Sequence, residues 1–290
     1  MNAKANVSGI SAIAMWSLLA LFTSATTGIK PFQMLALTFF VGALIGFAFI
    51  AHRGKTGWVK LKQPPRAWVL GVGGLFGYHF FYFTALSNAP VADASLIAYL
   101  WPLLIVVFSA FLPGERLRWF HMVGAFMGLG GATLLVASKG EFSFSSQFAW
   151  GYMAACACAL IWSLYSVLNR TQGHVPTETV AGFCLLTAIL GAFSHMMFES
   201  WVDPTFTQWL AIIALGAGPV GASFYAWDYG TKHGNIHFLG VCSYGAPLFS
   251  TLFLTMAGQA EVTIHLVAAC LLITSGAVLG SLDMFKKARA

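Results

Sequence analysis

Aromatic rings with polar handles recur at helical spacing along this chain, and they are the residues best equipped for chemistry. Tyr78 and Tyr82 stand four apart with His79 beside them, so one helix face offers two hydroxyls and an imidazole. Ser95, Tyr99 and Pro102 form a second stripe next to Trp101, and Trp162, Tyr165, Ser166 and Asn169 form a third. Tyr244 stands in another apolar run, and Tyr225, Trp227, Asp228 and Tyr229 crowd a further one. Such rings stack on flat apolar solutes, each pair adding about 0.5–1.5 kcal/mol beyond burial. They also attract organic cations by cation–π contact. Tyr78, Tyr82, Tyr99, Tyr244 and Trp162 fall toward the middle of their runs, where a hydroxyl or indole N–H needs a partner. The competing assignment for each is an interfacial belt, and most of the 26 Phe are expected to face lipid.

Bond-breaking chemistry has less to work with. There is no His-Glu-x-x-His helix and no pair of facing aspartates, so an enzyme is not expected. His79, His121, His195, His237 and His265 are scattered, which argues against a haem and against any cofactor. Cys156, Cys158, Cys184, Cys242 and Cys270 lie inside apolar runs without zinc or disulfide spacing, so no metal is expected. Gly71-Val72-Gly73-Gly74-Leu75-Phe76-Gly77 loosely resembles a dinucleotide fingerprint but follows no strand, and close helix packing accounts for it. Asp228 is the acid set well inside an apolar run, which makes it the candidate coupling residue. Its alternative is an i,i+4 pair with Lys232. His79 could meet a solute carboxylate or carry a proton; a hydrogen bond to a neighbouring helix is the favoured reading. No Lys or Arg is expected deep in any run.

The elements that position these groups follow from composition. Of 290 residues 58% are hydrophobic and 8% charged, far from the balance of a soluble domain. Lipid must be the main solvent and partner. Ten stretches of sufficient length occur, at 8–28, 31–51, 67–87, 91–112, 119–138, 149–169, 178–198, 207–230, 235–256 and 262–282. With ten spans, both termini and the even-numbered connections share one face. That face gathers Lys4, Arg53, Lys55, Lys60, Lys62, Arg66, Arg116, Arg118, Arg170, Lys232, Lys286, Lys287 and Arg289, against Lys30 and Lys139 opposite. The bias places both termini in the cytoplasm. The net charge of +6 therefore reports topology, and no nucleic-acid partner is expected.

The chain repeats itself. Trp16-Ser17-Leu18 recurs as Trp162-Ser163-Leu164, and Tyr99-Leu100-Trp101-Pro102-Leu103 is answered by Tyr244-Gly245-Ala246-Pro247-Leu248. Glu115 and Gly130 find partners in Glu261 and Gly276 at the same separation. The expected fold is an all-α membrane protein of ten transmembrane helices, as two five-helix repeats over 1–138 and 149–290. Five is odd, so the copies are inverted about an axis in the membrane plane. Pro102 and Pro247 fall at matched mid-span positions and should kink their helices as hinges.

Ten spans in two halves, with a mid-helix proline and a following Glu115 or Glu261, resemble the drug/metabolite transporter superfamily, in particular its EamA-type members. The segment Tyr78-His79-Phe80-Phe81-Tyr82-Phe83, with Tyr99-Leu100-Trp101-Pro102, is similar to the YddG-type aromatic amino acid exporters. The resemblance implies export of aromatic amino acids and related solutes across a bacterial inner membrane. The residues themselves leave organic-cation efflux open, with a membrane-embedded enzyme the weaker rival. The expected solute contacts are Tyr78, His79, Tyr82, Tyr99, Trp101, Trp162, Tyr165 and Tyr244. The scarcity of titratable groups at depth favours gradient-driven over proton-coupled transport. A monomer is expected, with a dimer as the alternative.

Overall fold

The computed structural model describes residues 2–137, 142, 144–258 and 261–282. Lys139, Lys286, Lys287 and Arg289, four of the basic residues used to orient the chain, lie outside the described residues, as do 138 and 283–290 at the expected repeat ends. Among the described residues every regular element is helical.

Among the described residues, nine helices are long and apolar enough to cross a membrane. They are α1 (Ala3–Ser24), α2 (Pro31–His52), α3 (Pro65–Asn88), α4 (Val91–Ser109), α5 (Trp119–Ala137), α6 (Ser146–Gln172), α7 (Thr177–Phe198), α8 (Phe206–His233) and α9 (Ile236–Met256). A shorter apolar helix, α10 (Ile264–Gly280), covers most of the last expected span, 262–282. It has 17 residues because Thr263 caps it, accepting from the Leu266 N–H at 3.2 Å.

Four helices are interrupted, and backbone chemistry explains three of the interruptions. α4 divides into Val91–Ala98 and Trp101–Ser109, just ahead of Pro102. α9 divides into Ile236–Cys242 and Gly245–Met256, just ahead of Pro247. Proline has no N–H to give, and its ring crowds the carbonyl four residues back. α8 widens into a π-helical turn at Gly218–Ala222, which holds Pro219. α1 breaks at Leu18, between Ala3–Ser17 and Leu19–Ser24.

The main packing partners are α5 with α10, α2 with α7, α3 with α6, and α1 with α8. Glycine permits the closest crossings. A Cβ built on Gly124 of α5 would lie 2.6 Å from the Gly276 carbonyl oxygen of α10, and one on Gly276 would lie 2.6 Å from that of Gly124. At the α2–α8 crossing a Cβ on Gly42 would lie 2.9 Å from the Gly221 Cα. In lipid, where helices gain nothing by hiding apolar surface from each other, such contact is a main source of association. Phe32, Phe39, Phe120, Phe183 and Phe224 are buried inside the protein, while others, such as Phe40, Phe126 and Phe193, are exposed.

Candidate functional site

The interrupted helices surround a chamber of about 680 Å³, within the size range of small-molecule sites. It reaches the surface at Thr23, Thr27 and Gly28, where α1 gives way to α2. Its walls carry Tyr78, His79, Tyr82, Tyr99, Trp101 and Trp162, together with Trp16, Phe39 and Phe224. No Asp, Glu, Lys or Arg lines it among the described residues.

Ring packing fixes the walls. Tyr78 and Tyr82, one turn apart on α3, stack at 5.8 Å. His79 meets Phe39 edge-on at 5.1 Å, and its Nδ1 lies 2.7 Å from the Leu75 carbonyl oxygen. That bond stays within α3, so the expected link to a neighbouring helix is not made. It requires the proton on Nδ1 and leaves Nε2 as an acceptor. At the chamber floor Trp16 packs against Trp227 at 5.0 Å and against Trp162 at 5.7 Å, with Trp101 at 6.3 Å from Trp162. Two indoles are anchored: Trp16 Nε1 donates to Ser223 Oγ and Trp227 Nε1 to Ser166 Oγ, each at 3.0 Å.

Two of the expected contacts stand outside the chamber wall. Tyr165 is buried behind Trp162, with ring centroids 5.3 Å apart, and its hydroxyl has no hydrogen-bond partner among the described residues. Tyr244 is buried at the break in α9, where its hydroxyl accepts from the Leu103 N–H at 3.1 Å. In an unbroken helix that amide would bond to the Tyr99 carbonyl. One helix break thus caps the other. Tyr244→Phe should strand the Leu103 amide and cost about 1–3 kcal/mol. Thermal unfolding in detergent checks this, and an unchanged midpoint would remove the cap.

Beyond the tryptophan floor lies a buried ion pair. Lys232 Nζ is 2.8 Å from both carboxylate oxygens of Asp228, forming the i,i+4 pair weighed from the sequence. Asn169 Nδ2 donates to Asp228 Oδ1 at 3.1 Å, Thr177 Oγ1 donates to Oδ2 at 2.6 Å, and Lys232 donates to the Val175 carbonyl at 2.9 Å. Lys232 stands in the last turn of α8, which ends at His233, yet its side chain is enclosed, with 1% exposure. Further ties close the same end: Arg170 pairs with Glu115 at 2.8 Å, and Glu178 with Lys60 at 2.6 Å and with Arg53.

A second cleft of about 580 Å³ opens on this end, between the last turns of α2 and α8 and the connection from α6 to α7. Val175 and Thr177, which hold the ion pair, form part of its wall.

The sequence profile of the EamA-like transporter family matches residues 3–137 and again 149–282. The chain belongs to the EamA-like transporter family. It is a multi-pass membrane transporter. A relative from Ancylobacter novellus named aromatic amino acid exporter YddG is 54% identical over 282 residues, covering 97% of this chain and 98% of the relative. The Escherichia coli protein of that name is 23% identical, covering 95% and 96%. A solved crystal structure 53% identical superposes with a TM-score of 0.94 over 97% of this chain and 98% of the other. Within this EamA-like chain, the wall residues Trp16, Phe39 and Phe224 are not among the solute contacts expected from the sequence. For Trp16 the available signal is its mid-span placement and its match to Trp162.

Proposed function

We propose that this transporter exports aromatic and other amino acids, or closely related metabolites, across a bacterial inner membrane by alternating access between two inverted five-helix repeats. The observation that carries the reading is the chamber: six polar-handled aromatics, Tyr78, His79, Tyr82, Tyr99, Trp101 and Trp162, surround a space that no Asp, Glu, Lys or Arg lines among the described residues. Such a site favours a flat ring through stacking and supplies hydroxyls to orient it. The two near-complete relatives named aromatic amino acid exporters support the same solute class.

Several features support the inverted repeat. The family profile matches twice, on either side of residues 138–148. Under exchange of each helix with the one five further on, α5–α10 and α2–α7 map onto themselves, and α3–α6 maps onto α1–α8. The interruptions ahead of Pro102 and Pro247 give the halves matched hinges, with α10 acting as the tenth span. Both termini then lie in the cytoplasm, the chamber opens outward, and the tryptophan floor with the Asp228–Lys232 pair closes the inner side. The working unit is a monomer carrying its solute down a gradient, with Asp228 held by Lys232 rather than exchanging a proton.

Counterflow in proteoliposomes loaded with tryptophan, phenylalanine, threonine or a cationic drug tests the assignment. Exchange of tryptophan and phenylalanine ahead of threonine is expected. Exchange of the cationic drug alone would transfer the chamber to organic cations, which the same rings bind by cation–π contact.

A further inference from the structure

The chamber explains how a ring is held but not how an amino acid's two charges are handled. A zwitterion carries an ammonium and a carboxylate, and the chamber wall offers no Asp, Glu, Lys or Arg among the described residues to meet them. The enclosed pair of opposite charge lies one layer further in. Asp228 follows the floor residue Trp227 in sequence, and Asn169 holds it from α6. Thr177, which donates to Asp228, and Val175, whose carbonyl accepts from Lys232, are wall residues of the second cleft. Val175 and Thr177 thus touch the cleft on one side and the ion pair on the other.

We propose that Asp228 and Lys232 are the recognition site for the charged ends of the solute on the side where it is loaded, and that the second cleft is its vestibule. This rests on the amino acid reading of the chamber. A solute arriving in the cleft displaces Thr177 and Val175, places its ammonium against Asp228 and its carboxylate against Lys232, and so replaces the internal pair with an external one. Parting two buried charges without substitutes is expensive, because each is left without its counter-charge. A molecule that brings both signs at the spacing of one α-carbon supplies both substitutes together. One that brings a single sign leaves the other group stranded. The lock therefore opens to zwitterions and resists amines and acids that share the same ring.

A third group belongs to this site. The Tyr165 hydroxyl, one turn before Asn169 on α6, is buried without a hydrogen-bond partner among the described residues, and Asn169 holds Asp228. An unpaired buried hydroxyl is costly to keep, and an incoming carboxylate would accept from it. Tyr165, read from the sequence as a solute contact but placed outside the chamber, thus finds its role on the loading side.

The test uses the full chain in proteoliposomes of defined orientation, with tryptophan, tryptamine and indole-3-propionate as probes. The variant is Asp228→Asn combined with Lys232→Met, which keeps packing while removing both charges. At the face bearing Lys232 its KM for tryptophan should rise about tenfold and its discrimination against tryptamine should fall by about the same factor, the scale of losing a charged contact. Unchanged KM and unchanged discrimination in the double variant would overturn the proposal and leave the pair a structural staple. A wild-type chain that exchanges none of the three probes would instead remove the amino acid reading itself. Should the double variant fail to fold, Thr177→Val decides the matter. By freeing one carboxylate oxygen from the cleft wall it should lower the loading-side KM for tryptophan about threefold, the scale of one hydrogen bond, and an unchanged KM overturns the proposal.

Discussion

Lys232→Met should cost this protein about 3–5 kcal/mol of stability, the scale of leaving one member of a buried ion pair alone. With the ammonium gone, Asp228 keeps its bonds from Asn169 and Thr177 but loses the cation that lies 2.8 Å from both its oxygens. The Val175 carbonyl loses its donor as well. Asp228→Ala should be damaging for the mirrored reason, with a buried ammonium left against one carbonyl. Combining Asp228→Asn with Lys232→Met removes both charges and should recover most of the loss, because paired apolar or neutral replacements are often no worse than the buried pair. Unfolding midpoints in detergent for the two single variants and the double settle the point. Single variants as stable as wild type would show that solvent reaches the pair.

Trp162→Ala carries the second large effect. The Trp162 indole touches Trp16, Tyr78, Trp101, Tyr165, Phe224 and Trp227, so it joins chamber wall, chamber floor and the layer behind. Truncating a buried Trp costs about 3–5 kcal/mol through the lost contacts and the hole left behind. The solute loses a stacking face, and the floor loses its keystone. Tryptophan exchange should fall by about tenfold to a hundredfold, at ~1.4 kcal/mol per tenfold. Trp162→Phe, which keeps a ring but no indole, should retain an intermediate rate. Counterflow at wild-type KM and rate in Trp162→Ala would separate this ring from transport.

The comparison of sequence with structure is instructive at particular residues. The paired prolines foretold both interruptions, because a missing N–H has the same consequence in any apolar helix. They did not foretell that Tyr244 would cap the other break through Leu103, since that depends on two helices 141 residues apart meeting at one depth. The chamber aromatics of α3 and α4 were legible because helical spacing assigns a face. Tyr165 shares its stripe with Trp162 but points past the chamber, and spacing cannot tell a wall from the layer behind it. The π turn at Gly218–Ala222 had its signal in Gly216-Ala217-Gly218-Pro219, read only as part of a long span. Lys232 was placed at a water boundary because positive charge usually marks one. Only the folded connection carrying Val175 and Thr177 reveals that it is enclosed.

The contact between Gly124 and Gly276 sets a rule for anyone splicing this molecule. Each glycine occupies the space that the other's side chain would need, and they lie in different halves of the chain. Neither position can acquire a methyl group while its opposite keeps the same backbone separation. A chimera joining the front of one homologue to the back of another should therefore assemble only where both donors are bare at this crossing. A parent with alanine at either place would contribute a half that cannot seat.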